Sequence, residues 1–173
     1  MSEVFSVELL AGLRNGDDSA WSHFYDTLAP ELRAYVDRLG ASSPDDVVGE
    51  TMVQVVRSLR SFRGTAAELR PWTFGIARNR VIDAGRQRQR RPIETALSEA
   101  TDLGIDDAET DLDGDLSTML ENLTTDQRDA VWLRYVVGLS VDETAMVMAR
   151  APDAVAALTH RALRRLRAGF NAT

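Results

Sequence analysis

An all-α protein is the fold class this sequence predicts: two small helical domains joined by an acidic flexible linker, the second domain a helix-turn-helix. Three observations carry the prediction. Apolar residues recur at helical spacing, and no stretch alternates with period two for long enough to make a sheet. Helix-start signals stand at Ser43-Pro44, Thr124 to Gln127, Ser140 to Glu143 and Pro152-Asp153. Charge is partitioned along the 173 residues. Residues 1 to 98 balance 13 acids with 13 bases, residues 99 to 121 hold nine acids and no base, and residues 122 to 173 hold five acids and seven bases. A run so acidic and so poor in apolar matter cannot build a core. The predicted domains are therefore 1–91 and 116–173, with 92–115 as the tether.

In the first domain, Leu9, Leu10 and Leu13 mark a short helix that ends at Asn15-Gly16. Trp21, Phe24, Tyr25 and Leu28 mark the next. It meets Pro30 and resumes through Leu32, Tyr35, Val36 and Leu39, so a kink or a restart is expected there. Ser43 is the expected N-cap of a third helix, with Pro44 at its first position and Asp45 and Asp46 at the positive end of its dipole. Val48, Met52, Val55, Val56 and Leu59 form its apolar stripe. After Gly64, a longer helix runs from Leu69 to about Arg90, with Trp72, Ile76 and Ile82 on one side and an arginine-rich polar face on the other.

In the second domain, Thr124 and Gln127, then Ser140 and Glu143, are capping boxes that set two helix starts. The first of these helices carries Val131, Leu133 and Val136 and stops at Gly138. The second carries Ala145, Val147 and Met148 and stops near Ala149 to Ala151. Pro152-Asp153 opens the last, through Val155, Leu158, Ala162, Leu163 and Leu166. A short capped helix, a three-residue turn and a longer helix ending in basic residues is the helix-turn-helix pattern.

Composition narrows the chemistry. Without cysteine there is no disulfide, thiolate nucleophile, iron-sulfur cluster or cysteine-bound zinc, and His23 and His160 stand too far apart to make a metal site. No phosphate-binding loop, nucleophile elbow or HExxH motif occurs, so neither catalysis nor a cofactor is expected. No apolar run approaches the ~20 residues of a membrane span, and the first residues lack a signal peptide's character. A cytoplasmic protein without membrane insertion is the expectation.

The 20 basic residues, all arginine, are outnumbered by 27 acids for a net charge of −7, which excludes a uniformly basic nucleic-acid coat. They are concentrated instead. Arg78, Arg80, Arg86, Arg88, Arg90 and Arg91 crowd one stretch in which Asp83 is the sole acid. Guanidinium forks match phosphate oxygens, and Phe62, Trp72 and Phe74 nearby are the ring type on which unstacked bases are held. The same arginines also fit a solvated helix face, and the same rings a core. A second basic strip, His160, Arg161, Arg164, Arg165 and Arg167, lies near the end of the last helix, where cations also suit the dipole or snorkel over a small core.

Taken in order, these segments resemble the extracytoplasmic-function, or group-four, sigma factors, the dissociable specificity subunits of bacterial RNA polymerase. The likeness spans about residues 5 to 170. Pro44-Asp-Asp-Val-Val-Gly-Glu-Thr-Met-Val-Gln54 is similar to the family's polymerase-docking helix. Phe62-Arg-Gly and Arg70-Pro-Trp-Thr-Phe-Gly-Ile-Ala-Arg-Asn-Arg-Val-Ile-Asp83 resemble its promoter-melting segment. Leu123 to Ser140 resembles the lead-in to its helix-turn-helix.

The resemblance implies that the protein binds core RNA polymerase, recognises promoter DNA and melts the minus-ten element to start transcription. The alternative carried beside it is a stand-alone helix-turn-helix transcriptional regulator. By the resemblance, Asp46, Glu50 and Gln54 would contact core polymerase. Asn79 would line the pocket for a flipped minus-ten base, Phe62 and Trp72 would support it, and Arg78, Arg80 and Arg86 would meet phosphates. His160, Arg161, Arg164 and Arg165 would contact the minus-thirty-five element, and an anti-sigma factor would be a further partner. Ala156, Ala157 and Leu158, where the family more often has basic or hydroxylated residues, cannot pair with base edges, so discrimination there is expected to be shallow.

Overall fold

A computed structural model describes residues 5–90 and 123–170. The chain divides into two compact units, Met1–Ala108 and Glu109–Thr173. The acidic tether expected at 92–115 lies outside the described residues. Every regular element among the described residues is helical, and no described helix is long and apolar enough to cross a membrane.

The first unit is built from α1 (Val7–Asn15), α2 (Asp18–Arg38), α3 (Pro44–Ser58) and α4 (Ala66–Arg90). Ser6 caps α1 through its side chain, and Gly16, at φ 77°, ends it in a left-handed conformation that suits glycine. Asp17 then caps α2 by accepting from the amides of Ser19 and Ala20. α2 is one uninterrupted helix through Pro30, where the sequence predicts a kink or restart. The amide that proline lacks would have bonded the carbonyl of Asp26, and both residues are exposed, so water can satisfy that group.

α3 begins at Pro44 as expected, but Ser43 makes no side-chain cap. Its hydroxyl donates to Asp46 Oδ2 at 2.5 Å instead. Of the predicted α3 stripe, Val48, Met52, Val55 and Leu59 are buried while Val56 stays 54% exposed. On α4 the buried face is Leu69, Thr73, Phe74, Ala77 and Val81, not the expected Trp72, Ile76 and Ile82, which are half-buried. Thr73 is accommodated in that core because its hydroxyl donates to the carbonyl of Leu69 at 2.8 Å. Phe24, Leu28, Leu32, Tyr35 and Val36 of α2 complete the core, with the Tyr35 and Phe74 rings 5.3 Å apart. Arg70 crosses from α4 to α2, donating twice to Glu31 Oε2 at 2.8 and 3.1 Å.

The second unit holds α5 (Thr125–Val131), α6 (Val141–Met148) and α7 (Pro152–Phe170). Both predicted capping boxes are formed, by Thr124 with Gln127 and by Ser140 with Glu143. α5 ends earlier than the sequence suggests and passes into a π-helical turn, Trp132–Val136, closed by the Val137 amide on the Trp132 carbonyl at 3.0 Å. The wider turn keeps Leu133 buried and leaves Val136, another apolar residue of this segment, 61% exposed. Gly138, at φ 80°, ends this segment, and Ala149, at φ 51°, ends α6 in a left-handed conformation. Val155, Thr159 and Ala162 are the buried face of α7.

Candidate nucleic-acid interface

The local geometry of the first unit sorts its candidate residues into a buried support and an exposed face. The chain leaves α3 through a short turn before α4. In it, the Phe62 amide is bonded to the carbonyls of Ser58 and Leu59, at 3.1 and 3.2 Å. The Phe62 ring is buried and packs on Trp72, centroids 4.6 Å apart and planes tilted by 34°, within the contact range of two aromatic rings. Thr65 braces the start of α4, its amide and hydroxyl both donating to Glu68 Oε2 at 2.6 and 3.0 Å. Those bonds, the amide's foremost, hold the Glu68 carboxyl below its ordinary range.

Seven residues turn a helix almost twice, so Trp72, Asn79 and Arg86 share one face of α4, each about 10 Å along the axis from the last. Trp72 is half-buried, whereas Asn79 and Arg86 are exposed. Phe62 thus stands behind Trp72, and Asn79 presents its amide to solvent two turns further on. Arg86 lies 3.7 Å from Asp83, a loose pair on a solvated surface. Arg78 is half-buried. Arg80 is directed at α3, its Nη1 donating to Glu50 Oε2 at 2.7 Å while its Nε is buried with no bond. Arg60 and Arg63, not among the site residues expected from sequence, are exposed on the turn beside Phe62. Their signal in the sequence is adjacency to Phe62, which Arg63 follows directly and Arg60 precedes by two residues.

On α3, Asp46, Glu50 and Gln54 follow one another at four-residue spacing and so form one stripe. Each is engaged within the unit: Asp46 by Ser43, Glu50 by Arg80, and Gln54 by donating to Ser58 Oγ at 2.8 Å. Beside the stripe lies an apolar surface. Val53 and Val56 are about half exposed, and Val56 and Met52 line a groove with Trp21, Phe24 and Tyr25 of α2.

In the second unit, Ala156, Ala157, His160, Arg161 and Arg164 are all exposed along one face of α7. Arg161 Nε donates back to the Ala157 carbonyl at 3.2 Å. Arg165 departs from this group. It turns toward α5, donating from Nη1 to Gln127 Oε1 at 2.9 Å, the same oxygen that closes the capping box on the Thr124 amide. Leu158 is half-buried. Among the described residues no cluster of histidine and acidic side chains could hold a metal ion.

Comparison with known proteins matches both units. Residues 24–91 fit the family described as Sigma-70 region 2, and residues 113–166 fit Sigma-70, region 4. The ECF RNA polymerase sigma factor SigD of Mycobacterium tuberculosis is 32% identical, over 88% of this chain and 77% of its own length. The ECF RNA polymerase sigma factor ShbA of Streptomyces griseus is 33% identical, over 72% of this chain and 70% of its own. Among solved structures, the sigma factor RpoE of Bartonella quintana, in complex with the anti-sigma factor NepR, is 25% identical with a TM-score of 0.64. The match covers 87% of this chain and 96% of that one. CnrH, solved with the cytosolic domain of CnrY, shares the fold at 24% identity and a TM-score of 0.65, over 95% of this chain and 96% of its own.

Proposed function

The chain belongs to the extracytoplasmic-function sigma factors of the sigma-70 family, and from that premise we propose how its residues divide the work of starting transcription. Asp46, Glu50 and Gln54 on α3 dock the protein on core RNA polymerase. Asn79 takes the edge of an unstacked minus-ten base, with Trp72 and the buried Phe62 as its support, and Arg78, Arg80 and Arg86 meet the phosphates on either side. His160, Arg161 and Arg164 rest on the minus-thirty-five element. Arg165 reaches the same DNA only by leaving Gln127.

The observation that carries this reading is the shared face of Trp72, Asn79 and Arg86. A ring, an amide and a guanidinium at successive double turns are the groups needed to stack a base, read its edge and hold its backbone. Flipping a base costs a few kcal/mol of stacking, and contacts to the extracted base can offset that cost. Melting then needs no nucleotide hydrolysis, and bond-making chemistry stays with the polymerase. A sigma region 2 and a sigma region 4 in one chain also set aside the stand-alone regulator, which accounts for the second unit alone.

Further parts of the reading rest on the family. Residues 1–91 and 116–173 act as the polymerase-and-melting and upstream-binding domains. The acidic 92–115 segment, whose 24 residues reach at most about 80 Å, follows a basic channel in the polymerase, its carboxylates standing in for phosphates. An anti-sigma factor, as in the complex of the Bartonella protein, holds this chain inactive in the cytoplasm. The experiment is permanganate footprinting of promoter thymines with holoenzyme carrying Asn79→Ala. Reactivity falls by the equivalent of about 1 to 3 kcal/mol while assembly with core polymerase is kept. Normal melting by this variant removes Asn79 from the site.

A further inference from the structure

Phe62 is fixed from every side, and one of its restraints comes from a helix with no assigned part in promoter recognition. Its amide is bonded to the end of α3, and its ring is packed on Trp72. The ring also covers Gly64 so closely that a Cβ there would sit 2.5 Å from Cζ and 2.8 Å from Cε2. The remaining polar group, the Phe62 carbonyl, accepts a hydrogen bond from Nη2 of Arg14 at 3.0 Å, across 48 residues of sequence.

Arg14 is itself held in place. It stands in the last turn of α1, between the buried Leu13 and the left-handed Gly16. Two residues before it, Gly12 lets α1 approach α2 so closely that a Cβ would lie 2.9 Å from the Cβ of Ala20. The rotation of α1 about its axis is therefore set by α2. The guanidinium is delivered to the α3–α4 turn as a pre-positioned donor, and its charge makes the bond to a carbonyl stronger than a neutral one.

We infer that Arg14 is a positioning residue for base capture: by holding the Phe62 carbonyl it fixes the turn that carries Phe62, and through Phe62 the plane of Trp72, beside which the minus-ten base is read. The inference rests on the reading of Phe62, Trp72 and Asn79 as the base site. A cation at the end of α1 is also favourable to that helix's dipole. That effect acts on stability alone and is blind to which base is presented, whereas loosening of the turn blurs the choice between bases.

The test uses holoenzyme assembled from the full chain and core polymerase, transcribing a duplex library randomised through the promoter region, with the selected templates sequenced. At the minus-ten position of strongest preference, Arg14→Ala lowers the ratio of best to worst base by about threefold to tenfold, less than the full worth of a charge-assisted hydrogen bond because Arg14 acts on the base only through Phe62 and Trp72. Arg14→Lys, which can still donate to the same carbonyl, recovers at least half of that loss. Thermal melting and core-polymerase pull-down of each variant report its fold separately. An unchanged preference with Arg14→Ala, when Asn79→Ala abolishes it, overturns the role of Arg14 and leaves the base site standing. A loss of yield that is equal for all four bases also overturns it, since that is a stability effect. If neither variant alters the preference, the base site and the role of Arg14 fall together.

Discussion

Arg80 on α4 donates from Nη1 to Glu50 Oε2 on α3 at 2.7 Å, so a residue proposed to meet promoter phosphate is paired with one proposed to meet polymerase. The Glu50 side chain is 65% exposed and that of Arg80 30%. A pair so wetted contributes at most about 1 kcal/mol to stability, little enough for a stronger partner to displace. Glu50→Arg therefore leaves the fold nearly as stable but places like charges together and reverses the sign of the docking stripe. Pull-down with core polymerase is expected to weaken on the order of tenfold, equivalent to 1.4 kcal/mol, with the melting temperature changed by only a few degrees.

Gly64→Ala tests the packing of the α3–α4 turn. The new Cβ would meet the Phe62 ring at 2.5 Å and Glu68 Oε2 at 3.0 Å, so the ring must leave its present packing against Trp72. Such overpacking costs about 1 to 3 kcal/mol. A lowered melting temperature is expected, together with a shift in tryptophan emission that is absent when Trp72 is first replaced by Phe.

Arg164 and Arg165 are adjacent in sequence but serve different ends. Arg165→Ala removes the bond to Gln127 and loosens α5 against α7, so its effect is read first as a lower melting temperature. Arg164→Ala leaves the fold alone and weakens promoter binding by the holoenzyme, with the slope of log affinity against log salt reduced by about 1. Discrimination among bases at the upstream element stays shallow in both, because Ala156 and Ala157 on the same face offer only methyl groups.

Acid sensitivity follows from three carboxylates at helix starts. Asp17 is held below its ordinary value first by the Ser19 hydroxyl, Glu68 first by the Thr65 amide and Glu8 first by its own backbone bond. A group whose folded-state pKa is depressed binds fewer protons folded than unfolded, so its stabilisation is present above the unfolded value and lost as pH falls through the folded one. Melting temperature is expected to decline as pH drops below about 4.5. The decline is shallower in Asp17→Asn and in Glu68→Gln, checked by thermal denaturation across pH.

What could be read from sequence was what neighbours in sequence decide. Both capping boxes are legible because hydroxyl and amide or carboxylate partners lie within four residues, whereas the arginines of α4 do not share the single face the sequence suggests: Arg78, Arg80, Arg86 and Arg88 are spread around the helix, and Arg80 is turned to Glu50 on α3. The core face of α4 is not legible because burial there does not follow size: small Ala77 and hydroxylated Thr73 face the core while Trp72 stands at its edge. Val56 is exposed for a related reason, since periodicity shows that a stripe exists but not how wide a neighbouring helix covers it. Contacts from Arg14 to Phe62, Arg80 to Glu50 and Arg165 to Gln127 span 48, 30 and 38 residues, and no local pattern announces them. These three define which candidate residues are held inside the protein, and that internal wiring is what a sequence pattern does not carry.

The most direct measurement is run-off transcription of genomic fragments by core polymerase, with and without this chain, followed by mapping of the start sites. Discrete start sites are expected only when the chain is present, with no requirement for ATP hydrolysis before initiation. They should share a minus-ten sequence whose preference collapses when Asn79→Ala replaces the native chain. Start sites that are the same with and without the chain, or a shared element that survives Asn79→Ala unchanged, would contradict base capture on α4 as the way this protein opens promoters.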